Sequence, residues 1–215
     1  MAAGSVRNSR EDVIAVALRL LDETGLPDLT MRRLAAALDV QPSALYWHFT
    51  DKQTLLAAVS DRIIDRVPSV RPRDDEGWAE LALAEARALR DALLSYRDGA
   101  ELVASALALG LGADAARERL RAALGRGDFD AYIVDAGADA MLQFLLGHVA
   151  HEQQRMQADS LGVVASPHAV RAEDASGTVP SQGAAFDFGF TLLLDGLAKH
   201  VRSAAGPAGL TASVR

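Results

Sequence analysis

Residues 41–52 (QPSALYWHFTDK) place four ring-bearing side chains, Tyr46, Trp47, His48 and Phe49, at consecutive positions. A helix at the surface of a protein buries one face, so these four rings cannot all point into a core. Gln, Ser and His side chains can hydrogen-bond base edges or phosphates, and aromatic rings can lie against a sugar–phosphate wall. Some of the rings must therefore face outward, where their chemistry suits contact with nucleic acid.

Other residue patterns with possible chemistry are few. The sequence has no cysteine, which excludes disulfides, thiolate zinc sites and a cysteine nucleophile. It has no GxSxG motif and no recognisable pair of catalytic carboxylates, so neither an enzyme nor a cofactor is predicted. His148, His151 and Glu152 fall at i, i+3 and i+4 of a predicted helix, a spacing that could bind a divalent metal. A polar patch on that helix is the favoured interpretation, and no metal site is predicted.

Three predicted helices precede or contain the ring-bearing stretch. The first covers residues 9–24, with Ser9 as its N-cap and Gly25 as its stop. Thr30 is expected to cap a second, short helix, and Pro42 suits the first position of a third. Two short helices joined by a tight turn and preceded by a longer one form a helix-turn-helix pattern.

The third helix divides the rings between two faces. Leu45 and Phe49 lie four residues apart, so they can share an inward face with the leucines of the second helix. Asp39, in the turn, tolerates the left-handed conformation. Trp47 and His48 are then directed outward, where such a motif meets the major groove. Packing of the rings against the linker or the C-terminal body is the alternative, which the preceding helix, the turn and the proline make less favoured.

The rest of the chain is predicted to be helical. A connecting helix over residues 51–67, capped by Thr50 with Gln53 three residues later, joins the DNA-binding domain (1–50) to a linker near 68–76. The body, residues 73–205, has predicted helices over 78–97, 100–110, 113–124, 128–136, 139–155 and 184–203. Residues 157–183 lack periodicity and are expected to form a mobile or functional loop. No segment alternates as a strand does, so the predicted fold class is all-α.

Charge and hydropathy indicate the partners. The net charge is −7, yet residues 1–72 contain nine basic and nine acidic residues, so the excess acid lies in the body. This asymmetry permits DNA binding at one end only. The helices over 139–155 and 184–203 are apolar on nearly every side, and pairing with a second copy in a four-helix bundle would bury them. A homodimer is predicted. A cytoplasmic location without a membrane is expected, because no signal-like segment and no uncharged apolar run long enough for a bilayer is seen.

The segment LTMRRLAAALDVQPSALYWHFTDKQTLL, residues 29–56, resembles the DNA-binding region of the TetR family of transcriptional regulators. ALLSYRDGAELV (92–103) and LLGHVAHEQQ (145–154) resemble the C-terminal domain of its tetracycline-responsive members. The resemblance implies an all-α homodimer that binds a palindromic operator and leaves it when a small molecule enters the C-terminal domain. It places the following residues at DNA-contact positions: Thr30, Arg32, Gln41, Pro42, Ser43, Ala44, Tyr46, Trp47, His48 and Lys52.

The sequence departs from that pattern at the drug-contacting positions. Tetracycline-responsive members hold the drug as a magnesium chelate through a histidine, and Val103 stands at that position here. Pro68 and Glu85 replace two further drug contacts, and His151 replaces a glutamate that the partner subunit supplies. We therefore expect a small, largely apolar effector other than tetracycline, with Glu85 either at the rim or recognising an amine. The predicted pocket is lined by Glu85, Leu89, Leu102, Val103, Leu107, Gln143 and Leu146.

The prediction is thus a ligand-responsive repressor, and two alternatives stay open. One is a DNA-binding dimer without an effector, which a sealed core between residues 85 and 146 would favour. The other is an all-α binding protein or enzyme with a vestigial DNA-binding end.

Overall fold

A computed structural model describes residues 8–73, 75–160, 162 and 181–202. These residues contain no strand, which confirms the all-α prediction. Their helices are α1 (Arg10–Thr24), α2 (Met31–Ala37), α3 (Pro42–Leu45), α4 (Lys52–Asp65), α5 (Trp78–Leu94), α6 (Gly99–Ala108), α7 (Asp114–Leu124), α8 (Ala131–Ser160) and α9 (Gln182–Ala198).

The first two helices begin after the predicted N-cap residues, Ser9 and Thr30. The Ser9 hydroxyl accepts from the Asp12 amide at 3.1 Å, and the Asp12 carboxylate accepts from the Ser9 amide at 2.8 Å. These reciprocal bonds satisfy amide groups that the helix itself leaves unpaired. The Thr30 hydroxyl accepts from the Arg33 amide at 3.2 Å. Gly25 ends α1 with φ +82°, a conformation that other residues adopt only with strain.

The predicted cap of α4 was wrong by one residue. Asp51, not Thr50, is the N-cap, and its Oδ1 accepts from the Thr54 amide at 2.7 Å. A carboxylate is a stronger acceptor than a hydroxyl and also complements the positive end of the helix. The Thr54 amide, followed by its hydroxyl, lowers the pKa of Asp51.

The helices predicted over 128–136 and 139–155 form one continuous helix, α8, that begins at Ala131 and runs to Ser160. Gly137 does not break it. This glycine is buried where α8 approaches its neighbours, and a Cβ there would lie 3.1 Å from side-chain atoms of Leu124 and Leu197. Residues 157–160 are also helical, so the predicted loop is shorter at that end, and its residues 163–180 lie outside the described part of the chain.

One hydrophobic core runs from the N-terminal helices through α4 into the body. The long helix α8 packs against α5, α6, α7 and α9, while α4 packs against α1 on one side and α5, α6 and α7 on the other. By length and composition α8 could also cross a bilayer, although Asp135 and Asp139 interrupt its apolar sequence. A buried core helix meets the same criterion, and 44% of that apolar window is buried inside the chain.

Candidate DNA interface and effector cavity

The turn between α2 and α3 has the geometry expected of a helix-turn-helix. Asp39 is left-handed, with φ +53°, and its amide donates to the Ala36 carbonyl at 3.2 Å. Leu45 and Phe49 are each 1% exposed and pack with the fully buried Leu34. The predicted inward face of the third helix is therefore confirmed. Its short length, four residues, leaves the ring-bearing stretch as a tight turn that continues from the helix.

The rings divide as the spacing predicts, with one refinement. Trp47 is 84% exposed and Tyr46 is 53% exposed, so neither contributes much to the core. His48 is half-buried rather than fully outward. Phe49 faces inward, and the Arg10 guanidinium lies 4.8 Å from its ring centroid. Arg10 thus supports the recognition segment directly, a contact between distant residues that spacing could not reveal.

The remaining DNA-contact candidates lie at or near the surface of the same domain. Thr30, Arg32, Gln41, Pro42 and Ser43 are exposed. Ala44 and Lys52 are half-buried. Each of these positions borders α2, α3 or the beginning of α4, and α2 packs directly against α3. The surface therefore combines two cations, several hydrogen-bonding groups and a protruding indole, a set suited to phosphates and base edges.

Asp61 and Asp98 accept hydrogen bonds that connect the N-terminal part of the chain to the body. Asp61, on α4, accepts from the Ala113 amide at 2.6 Å, where Ala113 is left-handed with φ +66°. Asp98, also left-handed, accepts from the Leu26 amide at 2.8 Å and from the Gln157 side chain at 2.6 Å. A rearrangement of the α6–α7 turn would therefore change a contact of α4, and a rearrangement at the end of α8 would change the contact of Asp98 with Leu26, just after the end of α1.

The residues predicted to line a pocket are mostly packed. Leu89, Leu102 and Val103 are fully buried, Leu146 is 3% exposed and Leu107 is half-buried. Gln143 lies on the exposed face of α8. Three cavities of about 270, 520 and 430 Å³ are found elsewhere on the described residues. Of the predicted pocket residues, only Glu85 borders one of them, the 430 Å³ cavity.

Glu85 is buried and paired, which argues against its recognition of an amine. Arg119, on α7, donates from Nε to Glu85 Oε2 at 2.7 Å, and its Nη2 lies 2.6 Å from the same oxygen. The same guanidinium donates to the carbonyl of Val67 at 3.2 Å and to that of Pro68 at 2.6 Å. Arg119 therefore joins α7, α5 and the end of α4. Nothing in the sequence spacing signalled this role.

The candidate metal ligands do not converge. Arg90 donates to both carboxylate oxygens of Glu152, at 2.6 and 2.8 Å, so that carboxylate is engaged in a buried ion pair. The His148 ring lies between Phe144 and Phe186, with centroids 5.7 and 5.4 Å away. The residues that the structure describes contain no group of histidine and acidic side chains arranged to hold a metal. The predicted polar patch also differs from the structure, because Glu152 is buried instead of lying at the surface.

An apolar face remains exposed along α8 and α9. Phe188 is 68% exposed and Leu192 is 56% exposed, both on α9. A Cβ atom added at Gly147 of α8 or at Gly196 of α9 would have no neighbouring side chain within 4 Å. Large apolar side chains beside open glycine positions are typical of a surface that a partner covers.

The sequence and the structure both resemble known regulators. Residues 13–59 match the model of bacterial regulatory proteins of the tetR family, and residues 71–201 match the tetracyclin repressor-like C-terminal domain. The chain is 38% identical over 201 residues to the tetracycline repressor protein class C of Escherichia coli, covering 88% of this chain and 90% of that protein. It is 36% identical over 214 residues to the class A repressor from transposon 1721 of the same species, covering 91% and 94%.

Solved structures give the same picture. BioQ of Mycobacterium smegmatis is 40% identical, with a TM-score of 0.76 over 90% of this chain and 99% of that one. BioQ bound to its natural double-stranded DNA operator is 39% identical, with a TM-score of 0.72 over 90% and 99%. Streptomyces coelicolor ActR in complex with (S)-DNPA is 27% identical, with a TM-score of 0.72 over 93% and 99%.

Proposed function

Since the chain belongs to the TetR family of DNA-binding transcriptional regulators, we propose that it is a repressor released from a palindromic operator by a small molecule other than tetracycline. Residues 1–50 form the DNA-binding domain in this proposal, 51–67 the connection, and 73–205 the ligand-binding and dimerisation domain. The relatives named above are regulators, so no catalytic activity is proposed, and the proposed location is the cytoplasm, where an operator is accessible. The observation that carries the proposal is the recognition segment, whose Trp47 protrudes from a helix-turn-helix that is otherwise well packed.

DNA contact is assigned to the ten residues named from the family resemblance. The outward side chains of Gln41, Ser43 and Trp47 support base or backbone contact. Arg32 and Lys52 would neutralise phosphates, which makes binding dependent on salt. The operator-bound structure of the relative BioQ supports the choice of double-stranded DNA as the partner.

Dimerisation through α8 and α9 would complete the DNA-binding unit. The exposed Phe188 and Leu192 give that face an apolar surface, and a second copy would cover it symmetrically. Two recognition segments separated by about 34–36 Å would then match successive major grooves, so the operator is expected to be an inverted repeat.

An effector would act by favouring a dimer with a different spacing of the recognition segments. To weaken operator binding 100-fold, it must prefer that form by about 2.7 kcal/mol. The contacts of α4 with the body, through Asp61 and through Arg119, supply the physical connection. Ligand and operator must then weaken each other by the same factor.

Tetracycline itself does not suit the site. Val103 cannot coordinate magnesium and is fully buried. The apolar interior around Leu89, Leu102 and Leu146 is closely packed, so an effector would have to open this packing or occupy a cavity at its border. The ligand-bound structure of the relative ActR supports the principle of a small-molecule effector.

The tight packing of that interior also favours a second candidate function, a DNA-binding dimer without an effector. Leu89, Leu102 and Val103 have no exposed surface at all. In this alternative the body only dimerises, and repression would be constitutive.

Operator selection tests the proposal directly. Purified protein is incubated with random duplex DNA at moderate salt, and the retained DNA is sequenced. We expect an inverted repeat with half-sites one helical turn apart, which the Trp47→Ala variant does not enrich. Retention without sequence preference would refute the regulator assignment. A thermal-shift screen of small molecules, followed by operator release, then separates the two candidates: only the ligand-responsive repressor has a compound that does both.

A further inference from the structure

The cavity beside Glu85 is lined by apolar side chains and by three charged ones, those of Glu85, Arg119 and Arg126. About 430 Å³ in volume, it lies between the linker that follows α4 and one face each of α5 and α7. Val70 and Pro72 of the linker form one wall, and Leu81 of α5 with Ala122 and Ala123 of α7 form the others. The body of a ligand in this cavity would therefore meet apolar groups.

The charged groups of the cavity favour an anion. Glu85 and Arg119 neutralise each other, with both guanidinium contacts made to Glu85 Oε2. Arg126 lies in the turn just beyond the end of α7 and also borders the cavity. The only hydrogen bond of its side chain within the described residues is a long one, 3.4 Å, to the Glu76 carbonyl. The Arg126 guanidinium is exposed and has no acidic partner among the described residues, so only solvent balances its charge. A bound monoanion would compensate it.

Glu85 also offers one carboxylate oxygen that a hydrogen-bond donor of a ligand could contact. Glu85 Oε1 accepts no bond from the described residues and is not among the fully buried unpaired atoms, whereas Oε2 receives both contacts from Arg119. A ligand hydroxyl or amide N–H could donate to Oε1 without disturbing the ion pair. This preference distinguishes the cavity from a purely apolar pocket.

We propose that this cavity, resting on the ligand-responsive function proposed above, is the effector site and binds a small amphipathic monocarboxylate. The carboxylate contacts Arg126, and the apolar part of the ligand lies against Leu81 and Val70. A charge-assisted contact from a guanidinium is about twice as strong as a neutral hydrogen bond, so the acid is preferred over its amide.

Occupancy of the cavity has a direct route to the DNA-binding domain. Arg119 forms part of the wall and donates to the carbonyls of Val67 and Pro68, which follow the last turn of α4. The linker wall begins at the next residue, Ser69. A ligand that displaces this wall would therefore move the backbone at the C-terminal end of α4. The N-terminal end of α4 adjoins the DNA-binding domain.

The test compares acids with their amides on the full-length protein. Octanoate, 4-phenylbutyrate and 3-hydroxyoctanoate are titrated by calorimetry, each beside its primary amide. We expect each acid to bind at least about tenfold more tightly than its amide. Arg126→Gln should reduce the affinity for the acids by about tenfold and leave the affinity for the amides unchanged. Arg121→Gln is the matched control, because Arg121 lies on another face of α7 and contacts Asp135.

The outcomes separate this proposal from the regulator assignment. Acids that bind wild type and Arg126→Gln equally, or no saturable binding of any acid up to about 10 mM, overturn the carboxylate site. Operator binding by the same preparations is measured in parallel. A protein that recognises its operator but binds no acid loses only the present proposal, whereas one that recognises no operator loses the proposed function.

Discussion

Truncating one exposed leucine should weaken the proposed dimer of this regulator without destabilising its subunit. Leu192 of α9 is 56% exposed in the single chain and lies on the apolar face that we assign to the partner. Leu109, which ends α6, is 52% exposed and lies outside that face. The two leucines are thus nearly matched in exposure, and only one should be covered in the dimer. We predict that Leu192→Ala lowers dimer affinity and that Leu109→Ala does not.

The size of the effect follows from the exposed fraction. Full burial of a leucine side chain stabilises by about 1.5–3 kcal/mol. Covering the 56% that remains exposed on Leu192 therefore contributes about 1–1.5 kcal/mol per subunit. A two-fold interface contains the residue twice, so the substitution should cost the dimer about 2–3 kcal/mol, or about 30- to 150-fold in the dissociation constant.

Sedimentation over a dilution series measures the dissociation constant, and chemical denaturation of the dilute monomer measures its folding stability. The expected result is a 30- to 150-fold weaker dimer for Leu192→Ala, about 2–3 kcal/mol, with little change in monomer stability for either variant. Equal dissociation constants for wild type and Leu192→Ala would refute the assignment of this face. An equal loss in both variants would show a general effect of lost apolar surface.

Three further outcomes are expected. Trp47→Ala should abolish selective operator binding while changing the free energy of unfolding by less than about 0.5 kcal/mol, because the ring is 84% exposed; a large loss in thermal stability would show that the ring packs instead. The Arg87 guanidinium lowers the pKa of Asp187, so the pair stabilises the fold above the ordinary aspartate pKa and this contribution is lost as the pH falls through the lowered value. Asp187→Asn should therefore cost about 0.5 kcal/mol or less in denaturant titrations at neutral pH and nothing in strong acid, and a difference that grew on acidification would contradict the pairing. Glu85→Leu should destabilise by about 3–5 kcal/mol because it leaves Arg119 without its buried partner, and most of this loss should be recovered in Glu85→Leu/Arg119→Leu; a double variant no better than the single one would show that the carbonyl contacts of Arg119 dominate.

Local features of the DNA-binding domain were predictable because each depends on residues close together in the chain. The capping oxygen of Ser9 and that of Thr30 act on an amide three residues away. The inward position of Phe49 follows from helical spacing to Leu45. The fold class and the recognition segment could thus be predicted before any coordinates were known.

The predicted cap of α4 and the predicted break near Gly137 were wrong because the local sequence at each place is compatible with two structures. At the start of α4, Thr50 and Asp51 are adjacent and both carry an acceptor oxygen, and only the backbone geometry decides that Asp51 is the cap. At Gly137, the same residue type would suit a helix end or a close helix contact. Its packing against Leu124 and Leu197 selects the contact, and α8 continues through it.

The sequence by itself determined the all-α class, the helix-turn-helix with its outward indole, and the apolar helices that call for a partner, because these follow from the period of the helix and from the chemistry of neighbouring residues. Only the tertiary structure decided that Glu85 pairs with Arg119, 34 positions away, and that Asp98 accepts from the Leu26 amide, 72 positions away. Such contacts depend on how whole helices are placed against one another. That placement is set by packing over the entire core, which no local pattern of residues encodes.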